Sequence, residues 1–377
     1  MIPIKTILIC QYPLPYLKIA SWTTMYNHYL RSGYHPFDYI VCPKGEEEIP
    51  NVVYANFTPA SSIDKIKNKF DNKSRFNPYF EALDAIIKPD NKYVIHIIDH
   101  SGIIAPLNDF ISEKYNRTNF YVQYYYQGFD IIFKDERSQS FLNGIDELFF
   151  LTELAYNHYK NYYNELTMRC GVMHNATDSN QFYKLDTQEK KDEKKKLHIT
   201  SKLVFIWCSQ DRPKKGLQLI LDVWNRVFTN VDEMQLIVVG VEKEIDLEGV
   251  VVIGRVPNKE LAKYYQISDF YLFPSLWKEG FGIVLAEALK CGCYCIASNQ
   301  GGIPEVLGNG EYGKLIKNPN FIDEWVQTIE ESISEYKTNN FENPYYTTNF
   351  KKLYDINVWQ EKMNLKIENA KLNLENQ

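Results

Sequence analysis

The feature that most constrains this chain is an alternation: short runs rich in Ile, Val, Phe and Tyr recur between longer stretches with helical spacing. Strands separated by helices pair in parallel, because each crossover carries the chain back to the same end of the sheet and its helix covers one face. The first half offers strands at 4–10, 37–42, 51–55, 93–98, 120–125, 146–151 and 169–173, with helices at 21–32, 78–88 and 152–165. Ser21 is placed to cap the first of these helices and Gly33 to end it. A second, more regular series starts at Lys202, with strands at 203–208, 235–240, 250–253, 270–273 and 293–297 and helices near 215–228, 258–267, 283–291 and 321–336.

Two series imply two domains, and 377 residues exceed the size at which a single core stops growing. The charge-dense run 188–196 reads as a solvated linker or an exposed helix start. The domains are accordingly set at 1–184 and 185–345, with a segment 346–377 whose helical stretch 358–372 returns to the first.

Lys plus Arg number 42 and Asp plus Glu 48, a net charge of −6, so no global basic field invites nucleic acid and an anionic ligand needs a local site. Seven cysteines, odd in number and scattered, do not make a secreted disulfide framework and suit a reducing, cytoplasmic setting. No apolar run approaches the ~18 residues of a membrane span. A soluble protein is expected, with room for peripheral contact at the inner face of the cell membrane.

Chemistry concentrates in 273–288, where a strand runs through a glycine-containing turn into a helix. Gly280 and Gly282 let the backbone approach a ligand closely, and the free N–H groups of a helix beginning at Ile283 attract phosphate. Glu279 and Glu287 bring two carboxylates to this end. Carboxylates accept hydrogen bonds from sugar hydroxyls, so one on a hexose and one on a ribose, with backbone N–H groups on the pyrophosphate between, suit a nucleotide sugar.

The stretch Glu279-Gly280-Phe281-Gly282 through Glu287 resembles the E-x7-E motif of the retaining glycosyltransferases of family 4, the group 1 glycosyltransferases. The likeness runs on through Gly292, 297–306 and 313–316, and covers about 203–316 at the level of motifs. It implies the GT-B fold, an α/β architecture of two Rossmann-like α/β/α domains facing each other across a cleft, with the C-terminal helix crossing back to the first domain. It further implies that Glu279 contacts the donor sugar and Glu287 the ribose. The backbone at Phe281, Gly282 and Ile283 then meets sugar and phosphates, with Gly302 of the later glycine-rich loop beside them. The stretch 207–217 resembles the family's arginine and Lys-Gly pair, which assigns Lys215 and Arg212 to the leaving diphosphate. The family's arginine usually stands five or six positions before that lysine, where this chain has Gln210 and Ser209. Arg255 and Val256 resemble the base-binding segment, and His100 stands where some members use a histidine on the donor sugar or near the acceptor. Asn175-Ala176-Thr177-Asp178 and Phe182 are similar to the segment that closes the family's first domain, with Ala176 and Thr177 departing from its usual glycine and valine.

Breaking a sugar C1–phosphate bond puts negative charge on phosphate and positive charge on sugar, which fixed cations favour. The sequence holds no Asp-x-Asp to bring a divalent metal, so neither metal nor other cofactor is expected. The reading is a metal-independent retaining transferase that moves a hexose-type sugar from a UDP- or GDP-sugar to a glycan or lipid-linked acceptor. The resemblance suggests bacterial cell-surface polysaccharide such as lipopolysaccharide. The alternatives are a nucleotide-sugar-binding scaffold without transfer activity, and an inverting transferase or epimerase on the same fold. A dehydrogenase is disfavoured because 9–13 lacks the Gly-x-Gly-x-x-Gly turn. His96 and His100 lie along a strand rather than on one helical face, which argues against zinc. Cys291, Cys293 and Cys295 read as small buried thiols, Tyr124 to Tyr126 as structural, and Trp22 as an acceptor-site candidate.

Overall fold

The computed structural model describes residues 2–16, 21–58, 74–348 and 350–377. It forms two domains, Met1–His174 with Trp359–Gln377, and Asn175–Val358. In the first, β1 (Ile4–Cys10), β2 (Tyr39–Val41), β3 (Lys92–Ile98), β4 (Phe120–Tyr125), β5 (Glu147–Phe150) and β6 (Arg169–Val172) make one parallel sheet in the order β2-β1-β3-β4-β5-β6. Its strands are nearly continuous in apolar side chains because helices cover both faces. These helices include α1 (Ser21–Arg31), α2 (Asn77–Ile86), α3 (Ile104–Lys114), α4 (Arg137–Asn143) and α5 (Glu153–Tyr163).

Two of these helices, α3 and α4, were not legible in the sequence. Pro106 lies in the first turn of α3, where the missing N–H has no intrahelical role, so the proline does not break the helix. The run 51–55 is not a strand: Tyr54 forms an isolated bridge to Ile40, and the next bridge is at Pro43, which has no N–H to extend a ladder. The side chain of Ser21, the expected cap, lies outside the described residues.

The C-terminal helix Ile356–Glu375 covers the first sheet from Trp359 onward, as expected. Ala370 and Leu374 pack against Val94 and Tyr121, the Trp359 ring lies 5.4 Å from those of Tyr26 and Tyr29, and Gln123 donates to the Lys366 carbonyl at 3.2 Å.

In the second domain β7 (Leu203–Cys208), β8 (Met234–Val239), β9 (Val250–Gly254), β10 (Phe270–Phe273), β11 (Tyr294–Ser298) and β12 (Gly313–Ile316) form a parallel sheet in the order β12-β11-β10-β7-β8-β9. Its helices include α6 (Thr187–Lys196), α7 (Leu217–Val227), α8 (Asn258–Ile267), α9 (Ile283–Lys290), α10 (Ile303–Val306) and α11 (Ile322–Thr338). Helix α7 shows why this sequence is helical: Leu217, Ile220, Leu221, Val223, Trp224 and Val227 recur on one side and are all buried. Each large apolar side chain so covered contributes about 1.5–3 kcal/mol as an upper figure.

The boundary falls at His174/Asn175, not near 185, and of the two readings of the run 188–196, linker or helix start, the helix is the one that holds. It lies within α6, which opens on a capping box of Asp186 and Glu189. Lys190 and Lys194, one turn apart, reach the buried Asp269 at 2.7 and 3.3 Å. Residues 175–186 join this domain through the chain ahead of the C-terminal helix. Thr177 bridges Asp355 and its N–H donates to the Tyr354 carbonyl at 2.9 Å. Nearby, the buried Lys290 ammonium donates to Ser179 Oγ and the Phe350 carbonyl, both at 2.8 Å.

Candidate active site

In the second sheet the chain moves from β7 outward to β8 and β9, and β10 lies on the other side of β7. Loops leaving β7 and β10 therefore part at their carboxyl ends, and this switch of direction is where parallel sheets open a ligand crevice. Lys215 follows β7 and Glu279 follows β10, and they meet there: Lys215 Nζ lies 2.6 Å from Glu279 Oε1, with side chains 19% and 17% exposed. The buried Ser275 hydroxyl donates to the same carboxylate oxygen at 2.6 Å. The two loops are tied by Leu276 N–H to the Lys214 carbonyl at 2.8 Å, and the Trp207 indole holds the Lys215 carbonyl at 3.2 Å. Gly216 permits this: its φ is +71°, and a Cβ there would stand 2.1 Å from the Pro274 carbonyl oxygen.

The loop after β11 joins the same point. Gly301 bridges Glu279, and the Gly302 N–H donates to the Glu279 carbonyl at 2.8 Å. A Cβ on Gly301 would fall 2.4 Å from that carbonyl oxygen. The buried Gly302 thus positions Glu279 with its amide, which is already committed. Behind Glu279 the chain passes the half-buried Gly280 and Gly282 into α9, whose start at Ile283 has no side-chain cap. Uncapped N–H groups with the dipole behind them form an anion-binding end. Phe281 can offer only its backbone, since its ring is buried edge-on to Tyr354 at 5.0 Å.

Glu287 lies one turn into α9 and is 5% exposed, with Oε2 lacking any hydrogen-bond partner. Burial pushes its carboxyl up to about 8. A buried carboxyl group with an orphan oxygen is costly unless a donor arrives, and ligand hydroxyls are donors of the right kind.

The other sequence-predicted residues are more dispersed. Arg212 is exposed and its guanidinium has no partner among the described residues, while its backbone N–H donates to the Gln210 carbonyl at 2.8 Å. Arg255, just past β9, is exposed and stands 3.7 Å from Glu242, with Val256 half-buried behind it. His100 belongs to the first domain, after β3, where it is 8% exposed between the rings of Phe76 and Tyr79 at 5.6 and 5.3 Å. Burial and then the Arg75 charge lower its imidazole to about 4, so it is neutral at physiological pH, and Nε2 has no partner. His96 packs elsewhere, its Nε2 within 2.6 Å of the Tyr26 hydroxyl. Among the described residues no three His, Cys, Asp or Glu side chains gather to hold a metal ion, and the seven cysteines are free thiols. Ser275 was not singled out in the sequence; its one signal is a small polar residue at the end of β10, four positions before Glu279.

Residues 188–343 match the family model described as glycosyl transferases group 1, so the resemblance read from the motifs is borne out over that stretch. A phosphatidyl-myo-inositol mannosyltransferase of Mycobacterium leprae is 32% identical over 123 residues, which are 30% of this chain and 33% of that one. An N-acetyl-alpha-D-glucosaminyl L-malate synthase of Bacillus anthracis is 32% identical over 155 residues, 38% of this chain and 39% of that one. The matched stretches thus span little more than a third of these relatives. Over the whole fold, the Anabaena HepE protein solved with UDP superposes with a TM-score of 0.72 at 13% identity, covering 97% of this chain and 100% of that one. The two parallel sheets with flanking helices are the Rossmann-like pair of the GT-B fold. No helix among the described residues is long and apolar enough to cross a membrane.

Proposed function

From a chain whose residues 188–343 match the group 1 glycosyl transferases, we propose a retaining glycosyltransferase that takes a hexose-type sugar from a nucleoside diphosphate sugar. The observation that carries this reading is the Lys215–Glu279 pair at the switch point of the second sheet, next to the uncapped start of α9. Lys215 and the N-terminal amides of α9 hold the diphosphate, and their fixed positive charge stabilises the charge that grows there as the C1–O bond breaks. Glu279, released from Lys215 by the phosphate, accepts the donor sugar's hydroxyls, and Glu287 accepts those of the ribose. The leaving phosphate oxygen takes the proton of the acceptor hydroxyl on the face it departs from, so configuration at C1 is retained and no side-chain base is needed.

We place Arg212 on the outer phosphate and Arg255 with Val256 along the base through the backbone, with His100 serving the acceptor hydroxyl as a neutral hydrogen-bonding group. The reaction as drawn needs no divalent ion, because Lys215 and α9 supply the positive charge, and the sequence lacks Asp-x-Asp. The acceptor is a glycan or lipid-linked glycan of the cell surface, a reading supported by the lipid-linked substrate in the printed name of the mycobacterial relative. The test is a thermal-shift screen against UDP, GDP and their sugars in EDTA and in magnesium, followed by transfer assays with NMR assignment of the product anomer. A ligand at ~100 times its Kd adds about 2.7 kcal/mol to stability. A shift in EDTA and a product of retained configuration support the reading; no shift with any sugar nucleotide, or an inverted product, overturns it.

A further inference from the structure

The first sheet has its own switch point. The chain leaves β1 toward β2, and β3 lies on β1's other side, in register from Ile4 opposite Lys92 to Cys10 opposite Ile98. Gln11 and Asp99, the residues that follow, are therefore neighbours at the carboxyl edge, and Gln11 Nε2 donates to the Asp99 carbonyl at 2.7 Å.

Asp99 is held in an uncommon state. Its φ of +46° lies in the left-handed region, which costs a non-glycine residue energy and persists only where its surroundings fix it. Its own N–H is bound to the Tyr125 carbonyl at 3.1 Å, and its carboxylate accepts from the Trp22 side chain and the Gln127 backbone. Burial pushes the carboxyl up to about 6, so it is ionised at neutral pH, yet no cation pairs with it among the described residues. A carboxylate has about four acceptor positions, and these two donors leave the others for a ligand. Close enough to feel its charge is the half-buried Tyr12, whose ring is 4.8 Å from that of Tyr16 and 5.9 Å from that of Trp22.

We propose that these loops form a sugar-binding subsite, in which Asp99 accepts two neighbouring hydroxyls of the acceptor's terminal ring and Tyr12 lies against the ring's C–H face. The acceptor end is then a neutral sugar ring, since the negative carboxylate repels a phosphate or carboxylate ligand, whereas Trp22 and Gln127 pre-orient it for hydroxyl donors. This assignment of an acceptor rests on the transferase reading; the sugar-binding chemistry does not.

The experiment uses the full chain with methyl α-D-glucopyranoside and methyl α-D-mannopyranoside as probes in saturation-transfer NMR, and UDP and GDP in parallel thermal shifts. The expected result is binding of at least one glycoside, weakened about tenfold in Asp99→Asn, which loses a charged acceptor without changing shape. Tyr12→Ala should weaken it about fivefold and Tyr12→Phe hardly at all, because the ring is what counts. Retained hydrogen-exchange protection of β1 to β6 in these variants shows that the fold of the first domain survives. Equal glycoside binding by Asp99→Asn, Tyr12→Ala and wild type, or no glycoside binding by wild type, overturns the subsite. Absence of any nucleotide shift in wild type alongside glycoside binding overturns the transferase reading alone.

Discussion

Lys215 and Glu279 are each other's counter-ion until a diphosphate arrives, so either substitution alone leaves a partly buried charge unpaired. Lys215→Ala should lower kcat about 10²–10³-fold by removing positive charge from the leaving group. Glu279→Gln keeps the shape and part of the hydrogen bonding, and should lower kcat while the nucleotide-induced thermal shift stays near wild type, because the nucleotide does not depend on it. Near-normal turnover in either folded variant would remove these residues from the mechanism. Glu287 makes a prediction of opposite sign for stability. Its folded carboxyl sits at about 8 against an ordinary 4.5, so between these values the folded chain binds more protons than the unfolded one. Stability must then fall as pH rises through that window, by on the order of 5 kcal/mol at most from this group. Glu287→Gln lacks the loss, so urea titrations of the two proteins should diverge between pH 5 and 8, with the variant increasingly the more stable; parallel curves would show that the carboxyl is not held protonated.

At the scale of elements, Asp269 just ahead of β10 organises three others. It accepts the Val204 N–H at 2.8 Å on β7 and the Tyr336 hydroxyl at 2.9 Å on α11, besides Lys190 and Lys194 of α6. Burial alone would raise its carboxyl, but the two lysines and these donors hold it below its ordinary 3.8. The stabilisation is therefore present above that value and lost as pH falls through the lower folded one. Asp269→Ala should destabilise the second domain by about 3–5 kcal/mol, as loss of one partner of a buried ionic cluster does, with urea midpoints followed by Trp fluorescence as the measure. An effect under 1 kcal/mol would mean that the lysines find water instead. The same cluster explains a limit of reading the sequence. Strands β7 to β11 were legible within a residue or so, because buried parallel strands are uninterrupted apolar runs. Helix α6 was left between a linker and an exposed helix start because its charges imitate solvation, and nothing local shows that two of them end on a carboxylate 75 to 79 residues away. The donor-side glutamates were legible through the glycine turn between them. Ser275 and Asp99 were not, since their significance depends on sheet register and backbone conformation, which pairs distant loops and leaves no spacing to find.

For the whole molecule, chain order and domain order differ: the first domain is completed by residues 359–377, which follow the whole of the second. Trp359, Met363, Ile367, Ala370 and Leu374 are all buried in the C-terminal helix, at 5% exposure or less. At about 1.5–3 kcal/mol for each of the large apolar ones, their loss approaches the ~5–15 kcal/mol that holds a typical domain folded. Ending the chain at Val358 should therefore unfold the first domain. The second domain keeps the Thr177 pairing with Asp355 and the Lys290 contacts, all ahead of the cut. In the full chain, the unequal effects predicted for Asp269→Ala and for the truncation call for an analysis that does not assume one two-state transition. The truncated chain should retain a single cooperative melt that UDP or GDP still raises, with hydrogen exchange protecting β7 to β12 and leaving β1 to β6 open. Protection of both sheets after truncation would mean that the first domain's core closes without its terminal helix. Loss of protection in both would mean that the domains fold as one cooperative body, and the division at His174 would then describe geometry and not stability.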